Sequence, residues 1–315
     1  MNTKLVEDIA NAVLYEGYIL YPYRATAVKN RQRWNFGVLY PRAFAECQRG
    51  ADAWSTQTEC LAWAAGEHST LRIRVRFLHL IERSSSSAPV WQEATERDVA
   101  MAPLNIPDLA MHRRLQTFSF AAACETEGDI ARVREPLDGA IEVEAERLRD
   151  DLFKIRISVF NTALVPADLN RNAALMRSLV SAHTILELQG GEFISLLDPP
   201  EDFRDDAAQC KNIGTWPVLA GDAGARDAML SSPIILYDYP QIAPESAGAL
   251  FDGTEIDEIL TLRIMTLTDE EKLEMNQVDP RARQILERTE CMPPEQLMKM
   301  HGALRGLRRL HQETP

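Results

Sequence analysis

The sequence lacks the segments and short motifs that identify many protein classes. No apolar run in its 315 residues approaches the 18 that a membrane-spanning helix needs, so we expect no membrane span. It contains no phosphate-binding glycine loop, no nucleophile elbow and no dinucleotide fingerprint. The N-terminal stretch carries acidic residues where a signal peptide would need an apolar core, which predicts a cytoplasmic protein. These absences remove the usual sequence support for an enzyme.

Cysteine is scarce and histidine is scattered. The five cysteines are odd in number and form no CxxC pair, which argues against a disulfide framework and a zinc ribbon. We expect reduced, partly buried thiols, because a free cysteine packs like a small hydrophobic residue. The six histidines show no HxH or HExxH spacing. No cofactor is therefore predicted.

Acidic residues outnumber basic ones, but several basic residues are concentrated in one stretch. The formal net charge of −13 argues against a nucleic-acid partner, which would need a basic face. The stretch YPYRATAVKNRQRW at 21–34 nevertheless combines basic and aromatic side chains. It has three interpretations: a solvated loop whose cations pair with the protein's own acids, a docking surface, or a site for an anionic small ligand. Tyrosine, tryptophan and arginine are enriched at interface hot spots, which favours docking over the ligand.

Alternation of apolar and polar residues predicts antiparallel strands in the first 200 residues. The stretch 71–77 (LRIRVRF) alternates strictly, 115–120 is a further predicted strand, and GYILYPY with 34–40 is interpreted as two strands joined by the basic stretch. Residues 141–161 predict a hairpin in which Ala145 lies opposite Ile155, because any one-residue shift would place apolar side chains against polar ones.

Helical spacing predicts helices at 3–15 and 171–189, and Thr268 with Glu271 forms a capping-box pattern. The predicted fold class is α+β. An N-terminal antiparallel β-sandwich-like domain with flanking helices covers 1–200. An extended Pro/Gly-rich segment followed by helices covers 201–315 and is expected to pack on that domain.

Three features are candidates for chemistry. Cys210 lies beside Lys211, whose charge could lower the thiol pKa and create a soft-metal ligand or a transfer thiol. His183 is a candidate ligand, although packing is its simpler explanation. The acidic cluster at 252–258 could bind a hard cation or cap a helix.

Several segments together resemble an uncharacterised bacterial family associated with NiFe-hydrogenase gene clusters. They are YEGYILYPYRATAVKNRQRWNFGVLYP at 15–41, CKNIGTWPVLAG at 210–221, SSPIILYDYPQIAPESAGALFDGTEIDEILTLR at 231–263 and LTDEEKLEMNQVDPRARQILERTE at 267–290. They cover about a third of the chain. The resemblance implies an accessory role in assembly or maturation. It assigns no catalytic residue to this chain.

The sequence predicts a non-catalytic accessory protein, of a chaperone-like kind, that binds a protein partner while a metalloenzyme is assembled. A hydrogenase subunit is the partner that the resemblance implies. Two alternatives stay open: a metal carrier or enzyme using Cys210, His183 or the 252–258 acids, and a structural subunit of a larger complex. The predicted partner-binding residues are Tyr21, Tyr23, Arg24, Lys29, Arg31, Arg33, Trp34, Trp216, Tyr237 and Tyr239.

Overall fold

The computed structural model describes residues 3–24, 27–31, 33–64, 66, 68–86, 90–242, 248, 250–251 and 257–300. The chain forms two compact units. The first comprises 1–18 and 32–241, and the second comprises 19–31 and 242–315. Residues 201–241, which the sequence analysis grouped with the C-terminal segment, thus belong to the first unit, and the basic residues up to 31 belong to the second.

The first unit contains all the strands of the described chain. They are β1 (Ser55–Trp63), β2 (Thr70–Ser84), β3 (Trp91–Ala100), β4 (Leu104–Asn105), β5 (Arg114–Phe120), β6 (Ala123–Glu127), β7 (Ile130–Arg134), β8 (Leu137–Arg149), β9 (Leu152–Asn161), β10 (Val180–Gln189), β11 (Glu192–Ile194), β12 (Trp216–Leu219) and β13 (Ala228–Ser232). Its helices are α1 (Thr3–Leu14), α2 (Arg42–Cys47), α3 (Ile106–Met111), α4 (Arg171–Leu175) and α5 (Arg204–Ala208), with a 3-10 turn at Glu201–Phe203.

The strands form two antiparallel sheets that share one core. The five-stranded sheet has the order β11-β1-β9-β8-β5, and the eight-stranded sheet has β12-β13-β10-β2-β7-β6, with β3 and β4 paired to β2. One buried cluster takes side chains from both sheets, such as Ile155 and Ile157 from the first and Ile73 and Phe77 from the second. Burial of such apolar side chains is the main favourable term in folding.

The second unit is helical. It comprises a 3-10 turn at Val28–Arg31 and four helices: α6 (Asp257–Met265), α7 (Asp269–Val278), α8 (Pro280–Glu290) and α9 (Pro294–Met300). Thr268 and Glu271 form the predicted capping box at the start of α7. With antiparallel strands in the N-terminal and central part and helices in the C-terminal part, the α+β prediction is confirmed.

The hairpin at 141–161 has the predicted register. Ala145 pairs with Ile155 and Glu144 with Arg156 in the ladder between β8 and β9. The register shifts next to the turn, where Arg149 pairs with Leu152, so the tip differs by one residue from the predicted three-residue loop. The hydrophobic pattern determines the register because a slip would turn the apolar face of each strand away from the core.

Two secondary-structure predictions are wrong. The predicted helix at 171–189 is the short helix α4 followed by β10, which lies between β13 and β2. A central strand is buried on both faces, so its apolar residues are not confined to alternate positions and also match helical spacing. The predicted strands at 17–23 and 34–40 are turns, bends and irregular backbone, apart from a bridge at Leu39, and positive φ angles at Trp34 and Gly37 interrupt the second stretch.

We predict that Gly139 is required to make room for an aromatic ring. Its partner in the ladder is Phe118, and a Cβ atom built on Gly139 would lie 2.2 Å from Phe118 Cζ. Gly139→Ala should lower the free energy of unfolding, measured by urea denaturation, by about 1–3 kcal/mol, the usual range for an overpacked core. In a Phe118→Ala background, the same substitution should cost far less. If the losses of unfolding free energy in the two single variants add up to the loss in the double variant, the contact is contradicted.

Candidate partner-binding surface

The segment 210–215, here called the anchor segment, joins α5 to β12 in the first unit. It runs along β1, with which it exchanges two backbone hydrogen bonds: the amide of Gln57 donates to the carbonyl of Ile213 at 3.0 Å, and the amide of Ile213 donates back at 2.9 Å. The Gln57 side chain also donates to the Lys211 carbonyl at 2.9 Å. The anchor segment therefore acts as a short continuation of the ladder.

A buried carboxylate holds the same segment. Glu59 lies in β1 and is almost fully buried, and its Oε2 accepts the amide hydrogen of Lys211 at 2.7 Å. Its Oε1 accepts from Arg156 Nε at 2.7 Å, and the same guanidinium also contacts Glu144. The amide of Glu59 donates to the Asn212 side chain at 2.8 Å. A buried charge must be paired and hydrogen-bonded to be tolerated, and here both conditions are met.

A row of hydroxyl groups links the end of the anchor segment to both sheets. The oxygen of Ser231 in β13 lies 2.7 Å from the hydroxyl of Thr58 in β1 and 2.7 Å from that of Thr215. All three side chains are buried. Their mutual hydrogen bonds satisfy groups that would otherwise be costly to bury, so they fix where β12 begins.

A shallow cleft of about 270 Å³ opens beside this junction. Its lining includes Trp34, Tyr40 and Trp216, with Asp52 and Arg171 at one side. Arg171 donates to both carboxylate oxygens of Asp52, at 2.8 and 3.1 Å, and its guanidinium lies 5.0 Å from the Tyr40 ring centre. Trp34 and Tyr40 are buried, so the cleft offers mainly the exposed ring of Trp216 next to an ion pair that is already neutral, which suits the binding of apolar or aromatic side chains.

Of the predicted partner-binding residues, Trp34 and Trp216 line this cleft. Trp216 begins β12 and is 43% exposed. Tyr237 is 85% exposed, and its neighbour Asp238 accepts hydrogen bonds from the Ser195 hydroxyl at 2.5 Å and the Leu219 amide at 2.8 Å. The backbone that carries these two aromatic residues is thus held by ladder and side-chain hydrogen bonds.

Tyr239 is half-buried, because its ring packs against the shared core. Burial is also the main reason that its pKa is raised. Its amide donates to the Leu219 carbonyl at 2.7 Å. Tyr239 therefore helps to fix the loop that carries Tyr237, and its ring offers less surface to a partner than the sequence analysis expected.

Arg33 and Trp34 are buried rather than exposed, which corrects the prediction that their side chains form a docking surface. The guanidinium of Arg33 lies 3.5 Å from the Trp91 ring centre and donates to the Tyr18 carbonyl at 2.8 Å. The indole nitrogen of Trp34 donates to the Gln92 side chain at 2.9 Å. Cation–π stacking and these hydrogen bonds give both residues a structural role in the first unit.

Tyr23 is also buried, which corrects its predicted role in the same way. In the second unit, its hydroxyl donates to the Leu250 carbonyl at 2.8 Å. Tyr21 is half-buried, and the guanidinium of Arg263 lies 5.5 Å from its ring centre. Both tyrosines therefore contact residues of the unit to which they belong.

The cations of the basic stretch differ in their surroundings. Arg24 Nη1 lies 3.3 Å from Glu271 and 3.7 Å from Glu274. This arginine therefore pairs with the protein's own acids, as the solvated-loop interpretation of the basic stretch predicted. Lys29 is exposed. The side chain of Arg31 lies outside the described residues.

Cys210 does not have the lowered pKa that its neighbour Lys211 suggested. Burial, and to a lesser extent the nearby carboxylate of Glu59, raises the pKa of its thiol to about 12. Desolvation opposes the thiolate form, which is the form that attacks or binds a metal. The raised pKa could not be predicted from the neighbouring residues of the sequence, because Glu59 lies about 150 residues away in the chain.

His183 is fully buried in β10, and burial lowers its pKa to about 4. Its Nδ1 lies 2.7 Å from the Ser181 carbonyl, which indicates a packed strand residue. In the cluster at 252–258, Asp257 and Glu258 occupy the first turn of α6, and the rest lies outside the described residues. In the part of the chain that the structure describes, no three histidine, cysteine or carboxylate side chains converge as a metal site would require.

Comparison with protein-family models gave no match, and the search of curated proteins found none that is similar in sequence. None of the helices within the described residues combines the length and apolar character that crossing a membrane requires.

We predict that Glu59 is required to hold the anchor segment. Glu59→Gln removes a buried charge that accepts hydrogen bonds from Lys211 and Arg156. It should lower the free energy of unfolding by roughly 2 kcal/mol. Glu144→Gln makes the same chemical change on the more exposed partner of Arg156 and should cost less than about 1 kcal/mol. Urea denaturation measures both. Equal, small effects would contradict the role assigned to Glu59.

We predict that Cys210 reacts slowly with alkylating reagents. With its pKa raised to about 12, only a minute fraction of the thiol is ionised near neutral pH. Timed labelling with iodoacetamide, followed by mass spectrometry, should show Cys210 reacting at least about tenfold more slowly than the exposed Cys124. The two rates should converge in denaturant. Faster labelling of Cys210 in the folded protein would support the transfer-thiol alternative.

Proposed function

We propose that the protein is a non-catalytic accessory protein that binds a protein partner through the surface around Trp216 and Tyr237. The observation that carries the proposal is that these two large aromatic side chains are exposed on a backbone that is firmly held. A partner gains most by burying aromatic side chains that lose little conformational entropy on binding.

The chemistry of the surface suits a macromolecular partner. The ion pair in the cleft is internally neutralised, and the exposed ring of Trp216 lines the cleft beside it. Aromatic side chains surrounded by satisfied polar groups are typical of the central part of a protein–protein interface. Pro217 and Pro233 further limit the motion of the backbone on either side of the surface.

The cellular setting of the proposal comes from the sequence resemblance. The segments at 210–221 and 231–263 that carry the resemblance include Trp216 and Tyr237. We therefore propose that the partner is a subunit of a metalloenzyme, NiFe-hydrogenase in the first instance, bound during its assembly or maturation. A permanent structural subunit would instead co-purify in fixed stoichiometry with the finished complex.

The proposal predicts that Trp216→Ala and Tyr237→Ala weaken binding to the partner. Each hydrogenase subunit is co-expressed with the tagged protein, and the amount retained is measured by quantitative pull-down. Truncation of a central aromatic residue should lower retention of the cognate subunit by at least about tenfold, because hot-spot aromatic residues contribute energies of this order.

Trp63→Ala is the matched control for Trp216→Ala. Trp63 is also a strand residue and has a similar exposure, 39%, but it lies on β1, where its ring contacts Phe203. Its removal should leave retention of the subunit unchanged. Equal retention by all three variants would reject this surface, and failure of every subunit to bind the unaltered protein would reject the proposed partner.

A further inference from the structure

The first unit carries two arginines for which no acidic partner lies among the residues that the structure describes. Arg97 lies in β3 and Arg134 ends β7, and both are half-buried. Within the described residues, neither guanidinium takes part in an ion pair or a hydrogen bond, and the Nε atom of each is buried without a partner. In a chain with a net charge of −13, two such arginines are unexpected.

Neighbouring arginines of the same sheet do have acidic partners. Glu93 of β3 lies 3.5 Å from Arg83 of β2 and accepts a hydrogen bond from Arg132 of β7 at 2.9 Å. Arg132 also lies 3.5 Å from Glu127. Glu93 and Glu127 are therefore already engaged by other arginines.

His79 of strand β2 lies between the strand positions of these two arginines. Arg97 pairs with Phe77 across the ladder between β3 and β2, and His79 is the next residue of β2 on that face. The ring of His79 is fully buried and its Nε2 lies 2.9 Å from the carbonyl of Glu135, the residue after Arg134. A carbonyl only accepts, so Nε2 carries the hydrogen, and Nδ1 is left buried without a partner.

Electrostatics and packing support this proximity. Burial, with a smaller contribution from the charges of Arg97 and Arg134, lowers the pKa of His79 to about 4. Burial and then the charge of Arg134 likewise lower the pKa of Arg97. The guanidinium of Arg97 lies 4.4 Å from the ring centre of Phe120.

We propose that Arg97 and Arg134 bind a doubly charged tetrahedral oxyanion, either free phosphate or the phosphoryl group of a phosphate ester. A dianion neutralises both positive charges, whereas a carboxylate would neutralise one. The planar guanidinium group offers paired donors that match phosphate oxygens, and half-burial strengthens such charge-assisted hydrogen bonds. This site is separate from the proposed partner-binding surface and does not depend on it.

Isothermal titration of the full chain with inorganic phosphate tests the proposal. The titration is run at about pH 8, where phosphate is mainly dianionic, with potassium chloride matched in ionic strength as the blank. We expect saturable binding in the millimolar range or tighter. Acetate should bind at least about tenfold more weakly, because it carries one charge.

Arg97→Met and Arg134→Met remove one charge each while keeping an unbranched side chain. Each should weaken phosphate binding by at least about tenfold. Arg132→Met is the matched control, because Arg132 is an arginine of the same strand that already has acidic partners. It should change the affinity by less than about twofold. Circular dichroism verifies that each variant is folded.

Without phosphate, Arg97→Met should also unfold at the same or a higher temperature than the unaltered protein, since it removes repulsion between two cations. Phenyl phosphate provides a second arm of the titration: tighter binding than inorganic phosphate assigns the site to an ester, and equal binding assigns it to the free ion. Absence of saturable phosphate binding, or an equal loss in Arg132→Met, would overturn the proposal.

Discussion

The structure of the first unit depends on the attachment of the anchor segment to β1. Gln57 and Ile213 exchange backbone hydrogen bonds, and the buried carboxylate of Glu59 accepts the amide hydrogen of Lys211. Strand β1 belongs to the five-stranded sheet, whereas the anchor segment leads directly into β12 of the eight-stranded sheet. This attachment therefore joins the two sheets at one edge, in addition to the apolar core between them.

The same attachment connects the fold to the proposed function. Because Thr215 is held through Ser231, the first residue of β12, Trp216, is fixed in position while its side chain stays exposed. A buried polar network of this kind contributes modest net stability, but it specifies one arrangement of the backbone. An exposed aromatic residue on such a backbone is suited to binding, since little order must be imposed when a partner arrives.

The sequence predicts those features whose physical cause is local. The register of the 141–161 hairpin follows from one apolar face on each strand, and the start of α7 follows from the capping-box pair Thr268 and Glu271. The burial of Arg33 was not predictable, because its partners lie elsewhere in the chain and an arginine next to a tryptophan also suits an interface. The role of Glu59 was missed for the same reason, since no local pattern indicates which distant amide a carboxylate will bind.

Native-state hydrogen exchange of the amides of Gln57 and Ile213 tests the central claim most directly. If the anchor segment is part of the folded sheet, both amides should open together and exchange almost as slowly as those in the middle of β1. If instead the Ile213 amide exchanges at the rate of an unprotected loop while the β1 amides stay protected, the anchor segment is not held, and the proposed basis for positioning Trp216 is wrong.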